Sequence, residues 1–387
     1  MSKVLFITNM ANKIGSFSIS SITAAHDLGM EFYQIANWQN TDPSKIAVEE
    51  KTYDIKIKSI PISRNPFART NWTAYRELIA FIKQENIDYI HCNTPTGGIL
   101  GRLAGKKCKV KKIIYQAHGF HFYKGAPKKN WLLYYPIEKW LARYTDAVIT
   151  INKEDFEFAK KKFKLRNHGK VYYVPGVGID VAQYNLTEND RENKRRELGL
   201  SENDVALISM GDLIDRKNYD TAIRAVAEAS EPALQYFICG KGPEEERLKE
   251  LADNLGIAKQ VHFLGFRSDI RELLNAADVF LFTTKQEGLP RSMMEAMASG
   301  LPCIASRIRG NTDLLDGTGG GFLCSPCDSK QFADAISKLS ENRELREKMS
   351  KENLIKIKEY DISVVEKEIE NIYSEVLNAE HTPQASV

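Results

Sequence analysis

The chain of 387 residues has no apolar run approaching the roughly 20 residues that a membrane-spanning helix requires. Its opening segment, Met1-Ser-Lys-Val-Leu-Phe-Ile-Thr-Asn, is too short an apolar stretch for the core of a signal peptide and reads as a buried first strand. Cysteine is sparse, and six over this length make no disulfide framework. The one close pair, Cys324-Ser-Pro-Cys327, has neither a second pair nor nearby histidines to complete four zinc ligands. Free thiols in a cytoplasmic protein are the expectation. Charge of one sign is not in excess either: a net charge of +3 is too mild for a nucleic-acid binder and confines any basic partner site to a local patch. No Gly-x-Gly-x-x-Gly follows the first strand, which argues against a nicotinamide dehydrogenase. Short repeats and low-complexity tracts are absent too.

What is present is the composition of a globular protein, 43% hydrophobic and 27% charged, in a chain too long for one core. Two domains follow. Strand-like β-branched runs over 4–8, 87–92, 112–117, 147–151 and 171–174 alternate with helical patterns over 75–83, 130–143 and 154–162. The second half repeats the rhythm, with strands over 206–211, 236–240, 261–264, 279–282 and 303–306. Helices are expected there over 220–229, 243–255, 269–274, 291–298 and 330–339. Such alternation of near-continuous apolar strands with helices predicts an α/β protein with two parallel sheets, each covered on both faces. A hinge is expected in the polar segment 183–194, after the turn-rich stretch 175–180. A last long helix over about 362–377 precedes a polar, frayed tail over 380–387.

Ligands of open parallel sheets bind beyond the carboxyl ends of the strands. In the second half, Gly211-Asp-Leu-Ile-Asp-Arg216-Lys217 places two adjacent cations after a strand, a fork and a point charge that suit phosphates. Gly240-Lys-Gly242-Pro243 permits close backbone approach or simply a tight turn. Gly265-Phe266-Arg267 offers main-chain groups and a ring edge to a planar base. The segment from Glu287 to Glu295 runs through Gly288, Leu289 and Pro290 into a helix start, an anion and hydroxyl site flanked by two carboxylates. Carboxylates accept paired hydrogen bonds from diols, so a ligand that is both polyol and phosphate makes sense of the set.

Together these segments resemble the family 4 glycosyltransferases, retaining enzymes of the GT-B fold, and in particular those that build bacterial capsule and exopolysaccharide. The resemblance spans essentially the whole chain and is strongest over 209–315. It implies two doubly wound Rossmann-like domains facing across a cleft. Residues 1–180 would form the acceptor side, residues 181–361 the nucleotide-sugar domain, and the last helix, about 362–378, would pack back on the first. The family's Glu-x7-Glu pattern is present as Glu287 and Glu295, and its cation pair as Arg216 and Lys217. The resemblance implies that Glu295 holds the ribose and Glu287 a sugar hydroxyl. Arg216, Lys217 and the backbone of Gly288, Leu289 and Pro290 would hold the diphosphate, with Gly211 close by, while Phe266 and Arg267 flank the base. One departure stands out: many members carry Gly-Arg where this chain has Gly211-Asp212, which removes one cation.

In the first half, Gly15 matches the family's flexible loop near the donor phosphates, and His118 matches a histidine that contacts the donor sugar. Asn93, Thr94 and His121 are assigned to the acceptor side. No Asp-x-Asp triplet occurs, in keeping with catalysis that needs no metal or other cofactor. The expected partners are a nucleotide sugar, UDP-linked by the same similarity, and a polyprenyl-diphosphate-linked or other glycan acceptor. The basic run over 106–112, together with Lys124, Lys128 and Lys129 beside Trp131 and Tyr135, suits either an anionic membrane surface or plain solvation. The expected location is the cytoplasm, at the inner membrane face. A nucleotide-sugar epimerase of the same fold is the rival enzyme, and a non-catalytic partner subunit the rival without activity.

Overall fold

The computed structural model describes residues 1–377; the tail expected over 380–387 lies outside the described residues. Two compact units form: Met1–Gly178 together with the chain from Ser363 onward, and Ile179–Ile362.

Unit 1 holds strands β1 (Lys3–Met10), β2 (Glu31–Asn37), β3 (Lys56–Ser59), β4 (Tyr89–Asn93), β5 (Lys112–Ala117), β6 (Ala147–Thr150) and β7 (Lys170–Tyr173). Between them run helices α1 (Ser16–Asp27), α2 (Pro43–Tyr53), α3 (Thr70–Glu85), α4 (Pro95–Cys108), α5 (Lys128–Ala142) and α6 (Lys153–Lys162). The strands pair in the order β3-β2-β1-β4-β5-β6-β7, all parallel. Unit 2 begins with α7 (Glu188–Glu197) and continues β8 (Val205–Met210), α8 (Tyr219–Ala229), β9 (Leu234–Cys239), α9 (Glu245–Asn254), β10 (Val261–Gly265), α10 (Ile270–Ala276) and β11 (Val279–Phe282). It closes with α11 (Arg291–Ala298), β12 (Cys303–Ser306), α12 (Asn311–Leu315), β13 (Gly321–Cys324), α13 (Ser329–Glu341) and α14 (Arg343–Lys356). Its sheet order is β10-β9-β8-β11-β12-β13, again all parallel. Each sheet reverses its winding beside its first strand, and each carries apolar clusters on both faces. The last helix, α15 (Ile362–Leu377), lays Val365, Ile369, Ile372 and Tyr373 against Val4 and Phe6 of β1.

Three strands and several helices have no counterpart in the sequence expectation. β3 and β13 are short edge strands, and β2 carries a polar Gln34, buried at 1% exposure, in the middle of its apolar run. Helix α4 contains Gly97, Gly98, Gly101 and Gly105, which lower helix propensity. They are needed for packing. A Cβ at Gly98 would lie 2.5 Å from the Tyr115 ring, at Gly101 2.7 Å from Cys92, and at Gly105 2.7 Å from Ile113. The helix therefore rides closely on β4 and β5.

The expected hinge over 183–194 is corrected. Residues 188–197 are helix α7, started by a capping box between Thr187 and Asp190. Arg191 and Arg195 anchor it to Asp278 at 2.6 and 3.1 Å, inside unit 2. The polar composition marks an exposed helix tied by ion pairs, and the chain passes between units at Gly178 and again at Ile362.

Candidate active site

At the carboxyl edge of the unit 2 sheet, where the strand order reverses between β8 and β11, a cavity of about 670 Å³ opens, the size of a small-molecule site. The loops after β8, β9 and β10 and the start of α11 line it. Glycines allow these loops to approach. A Cβ at Gly240 would sit 1.9 Å from the Gly211 carbonyl oxygen, and one at Gly242 2.3 Å from that of Leu213. The glycines of 240–242 thus serve contact between two backbones.

Lys217 ends a short 3-10 turn and lines the cavity, its side chain 13% exposed and its Nζ 5.0 Å from the Phe282 ring centre. The ammonium donates to Glu287 Oε1 at 2.8 Å. Arg216 Nη1 donates to the same oxygen at 2.9 Å and to the Gln286 carbonyl at 2.5 Å. Thr284 Oγ1 adds a third hydrogen bond to Oε1 at 3.0 Å. Glu287 therefore acts here as the acceptor that aligns both cations. Arg216 is not among the cavity-lining residues, and its side chain is 41% exposed. Gly288 stays out of the lining too; a Cβ on Gly310 would press to 2.4 Å from its carbonyl oxygen, so the two backbones pack together.

Leu289 and Pro290 lead into α11, whose first turn has no side-chain cap. The first amide groups of such a turn lack intrahelical partners and carry the positive end of the helix dipole. Glu295, one turn in, accepts from Arg291 Nε at 3.0 Å and also holds the Tyr184 hydroxyl, which burial and this carboxylate push above its usual titration range. Phe266 is 78% exposed at the cavity edge. Arg267 beside it is paired with Glu197 at 3.0 Å and with Asp269, whose carboxyl the hydrogen bonds from Arg267 and Lys194 hold below the usual range.

Lys241, Arg291 and Asp212 also line the cavity. Lys241 lies between the two glycines noted in the sequence for their backbone freedom, and Arg291 on the first turn of the expected helix. The lining carries four cations, Lys217, Lys241, Arg267 and Arg291, against three carboxylates, Asp212, Glu287 and Glu295. The cation lost at Asp212 is thus offset by two that the sequence reading passed over.

Unit 1 has its own constellation at the equivalent strand ends. His118 follows β5, and its Nε2–H donates to Asn93 Oδ1 at 2.7 Å, while Phe17 sets its ring at 4.0 Å, edge to face. Burial pushes the His118 imidazole down to about 4, so it is neutral at pH 7. Thr94 adopts φ of +64°, rare for a β-branched residue, and its hydroxyl donates to Asn9 Oδ1 at 2.7 Å. Asn9 also accepts from the Gly97 amide at 2.7 Å, joining β1, β4 and α4 at the point where the winding reverses. Asn93, Thr94 and His118 are brought together. His121 is directed elsewhere: it stacks on Tyr134 of α5 at 4.5 Å. Gly15 caps α1 with φ of −91° and open space around a Cβ, so neither conformation nor crowding demands glycine there. Among the described residues no group of three or more His, Cys, Asp and Glu could hold a metal ion.

Two doubly wound parallel-sheet domains, one with a cationic cavity at its switch point, define the GT-B architecture. Residues 190–354 match the family described as "Glycosyl transferases group 1", and residues 6–152 match "Glycosyl transferase 4-like". The chain is 35% identical over its whole length to EpsD of Bacillus subtilis, named as a glycosyltransferase, and covers 99% of it. It is 30% identical over 69% of its length to the UDP-Gal:alpha-D-GlcNAc-diphosphoundecaprenol alpha-1,3-galactosyltransferase of Escherichia coli, covering 70% of that protein. Among solved structures, HepE of Anabaena in complex with UDP aligns over 97% of this chain and 100% of its own, with a TM-score of 0.78 at 20% identity. WaaG, a lipopolysaccharide glycosyltransferase, covers 96% of this chain and 99% of its own at 0.73 and 18%. The chain belongs to the group 1 glycosyltransferases.

Proposed function

We propose that the protein moves a hexose or N-acetylhexosamine from a UDP-linked donor to a polyprenyl-diphosphate-linked or other glycan acceptor, with retention of anomeric configuration, in surface polysaccharide synthesis. One observation carries this reading: Lys217, the uncapped start of α11 and Glu295 all line one cavity. A cation and bare amides suit a diphosphate, and a carboxylate suits a ribose diol. HepE has been solved with UDP and with UDP-glucose, and the E. coli relative is named for a UDP-sugar donor and a diphosphoundecaprenol acceptor; both favour the same chemistry here.

As the glycosidic bond to the diphosphate breaks, positive charge develops at the anomeric carbon and negative charge on the leaving group. Glu287 holds Arg216 and Lys217 in place beforehand, so little reorganisation accompanies charge development, the condition under which fixed donors stabilise a transition state most. Lys217, which lines the cavity, and the α11 amides take the role of a divalent ion, and transfer proceeds without metal. His118, neutral, exchanges hydrogen bonds with a donor hydroxyl, and Asn93 orients its ring.

The test is nucleotide release across UDP- and GDP-sugars, with and without a polyprenyl-diphosphate sugar, in chelator. Release of UDP stimulated by the acceptor, giving a retained anomer, is the expected result. Turnover of donor that ignores the acceptor would favour the epimerase, and an inverted product would overturn the mechanism.

A further inference from the structure

The loop after β12, residues 307–310, packs against the segment 287–290 and contributes nothing to the cavity lining, whereas Glu287, Leu289 and Pro290 all line it. Arg309 on this loop is 6% exposed, and its Nε donates to the main-chain carbonyl of Glu287 at 3.1 Å. Next to it, Gly310 takes φ of +81° and sits so close that a Cβ there would stand 2.4 Å from the Gly288 carbonyl oxygen. The loop is itself held. Asn311 donates to the Ser306 carbonyl at 2.8 Å, the Gly310 amide to Asp313 Oδ2 at 3.2 Å, and the Tyr360 hydroxyl to the Asp313 carbonyl at 2.9 Å. Glu287 is thus gripped twice, by Arg216 and Lys217 at its carboxylate and by Arg309 at its backbone. A buried charge is costly unless it is hydrogen-bonded, so this guanidinium is more than filling.

We infer that Arg309 is a positioning residue for the diphosphate, acting through the peptide groups of 287–289. In a planar trans peptide the N–H points opposite to the preceding carbonyl. The Glu287 and Gly288 carbonyls face the loop after β12, so the amides of Gly288 and Leu289 point away from it, toward the side on which Leu289 and Pro290 line the cavity. Among the described residues neither amide has a hydrogen-bond acceptor. Two successive amides of this kind, leading into the uncapped first turn of α11, form a concave cradle for an anion. Donors fixed in advance act on developing charge without reorganisation, and Arg309 supplies that fixity from outside the cavity. Without it the Glu287 carbonyl is free to turn and to present an oxygen, in place of an amide, to the phosphates. That the anion is a diphosphate rests on the proposed function; the orientation of the peptides does not.

Titration calorimetry of UDP, pyrophosphate and uridine, in chelator, on the full chain and its Arg309→Met, Arg309→Lys and Gly310→Ala variants is the test. Arg309→Met should weaken UDP and pyrophosphate at least about tenfold each, the worth of a hydrogen bond to a charged group, and leave uridine unchanged. Arg309→Lys should recover part of the loss, because a charged donor of similar length returns. Gly310→Ala should cost the same two ligands, since its methyl group presses on the Gly288 carbonyl. A crystal structure of Arg309→Met should show the Glu287 carbonyl turned from its place. Urea titration checks that each variant is folded in the assay; if Arg309→Met is not, Arg309→Lys carries the same comparison with a smaller loss. Unchanged affinities in the folded variants, an equal loss for uridine, or an unmoved Glu287 carbonyl overturns the inference. Wild-type protein that binds UDP and uridine alike would instead overturn the proposed function, while the place of the carbonyl in Arg309→Met still decides the orienting role.

Discussion

Replacing Lys217 with alanine removes a nearly buried ammonium that meets Glu287 at 2.8 Å and rests over Phe282. Two costs follow and are separable. In the free protein Glu287 keeps Arg216 and Thr284 as donors to Oε1, so its carboxylate is not abandoned, and the loss of stability should be about 1–2 kcal/mol. In the transition state the missing charge is no longer available to the departing diphosphate. Loss of one preorganised donor costs about 3–4 kcal/mol, roughly a hundredfold to a thousandfold in kcat. Lys217→Arg should recover part of the rate, because the charge returns on a longer, planar head. Single-turnover kinetics with UDP-sugar and acceptor, beside a urea titration of each variant, measure the two costs. Turnover of Lys217→Ala within about threefold of wild type would refute the reasoning, and so would a rate loss fully matched by unfolding under the assay conditions.

Three further outcomes are expected. Glu295→Gln should raise the Kd of UDP about tenfold or more while leaving that of inorganic pyrophosphate nearly unchanged, by calorimetry, because it removes a charged acceptor for the ribose and no phosphate contact. Glu138→Ala should destabilise unit 1 by about 3–5 kcal/mol, as it strands the buried guanidinium of Arg102; urea titration reads this directly. On acidification, His91 and His118 oppose folding, since burial lowers them to about 3 and about 4, below the ordinary value of 6.5. The unfolded chain takes up these protons first, so stability rises with pH between about 4 and 6.5 and falls as pH drops through that window. The slope contributed by His91 is about 1.4 kcal/mol per pH unit, and His91→Asn should remove it from the pH dependence of the urea midpoint.

Much of the sheet framework was legible because buried parallel strands are continuous apolar runs: 279–282 and 303–306 were read to the residue, as was helix 291–298. The failures have physical causes. Helix α4 has no counterpart in the sequence expectation because it carries four glycines, three of which serve contact with Tyr115, Cys92 and Ile113 that only the fold reveals. Helix α7 reads as a hinge because its stabilisation comes from Asp278, more than 80 residues away in sequence. That Lys217, Glu287 and Glu295 come to one cavity was visible in spacing, since each follows a strand. That Glu287 joins the two cations to each other was not visible, and neither were Lys241 and Arg291, whose relevance depends on which loops share a cavity. In unit 1 His118 and Asn93 stand out at strand ends in the sequence, but their mutual hydrogen bond does not, nor does the stacking of His121 on Tyr134 of α5.

The central claim is that unit 2 binds a nucleoside diphosphate chiefly through its diphosphate, with protein cations and helix amides supplying the positive charge. Titration calorimetry of UDP and of uridine, both in chelator, tests it most directly. UDP is expected to bind at least about a hundredfold more tightly than uridine, as two or more charge-assisted hydrogen bonds would provide. Equal affinities, or UDP binding that appears only when magnesium is added, would contradict it.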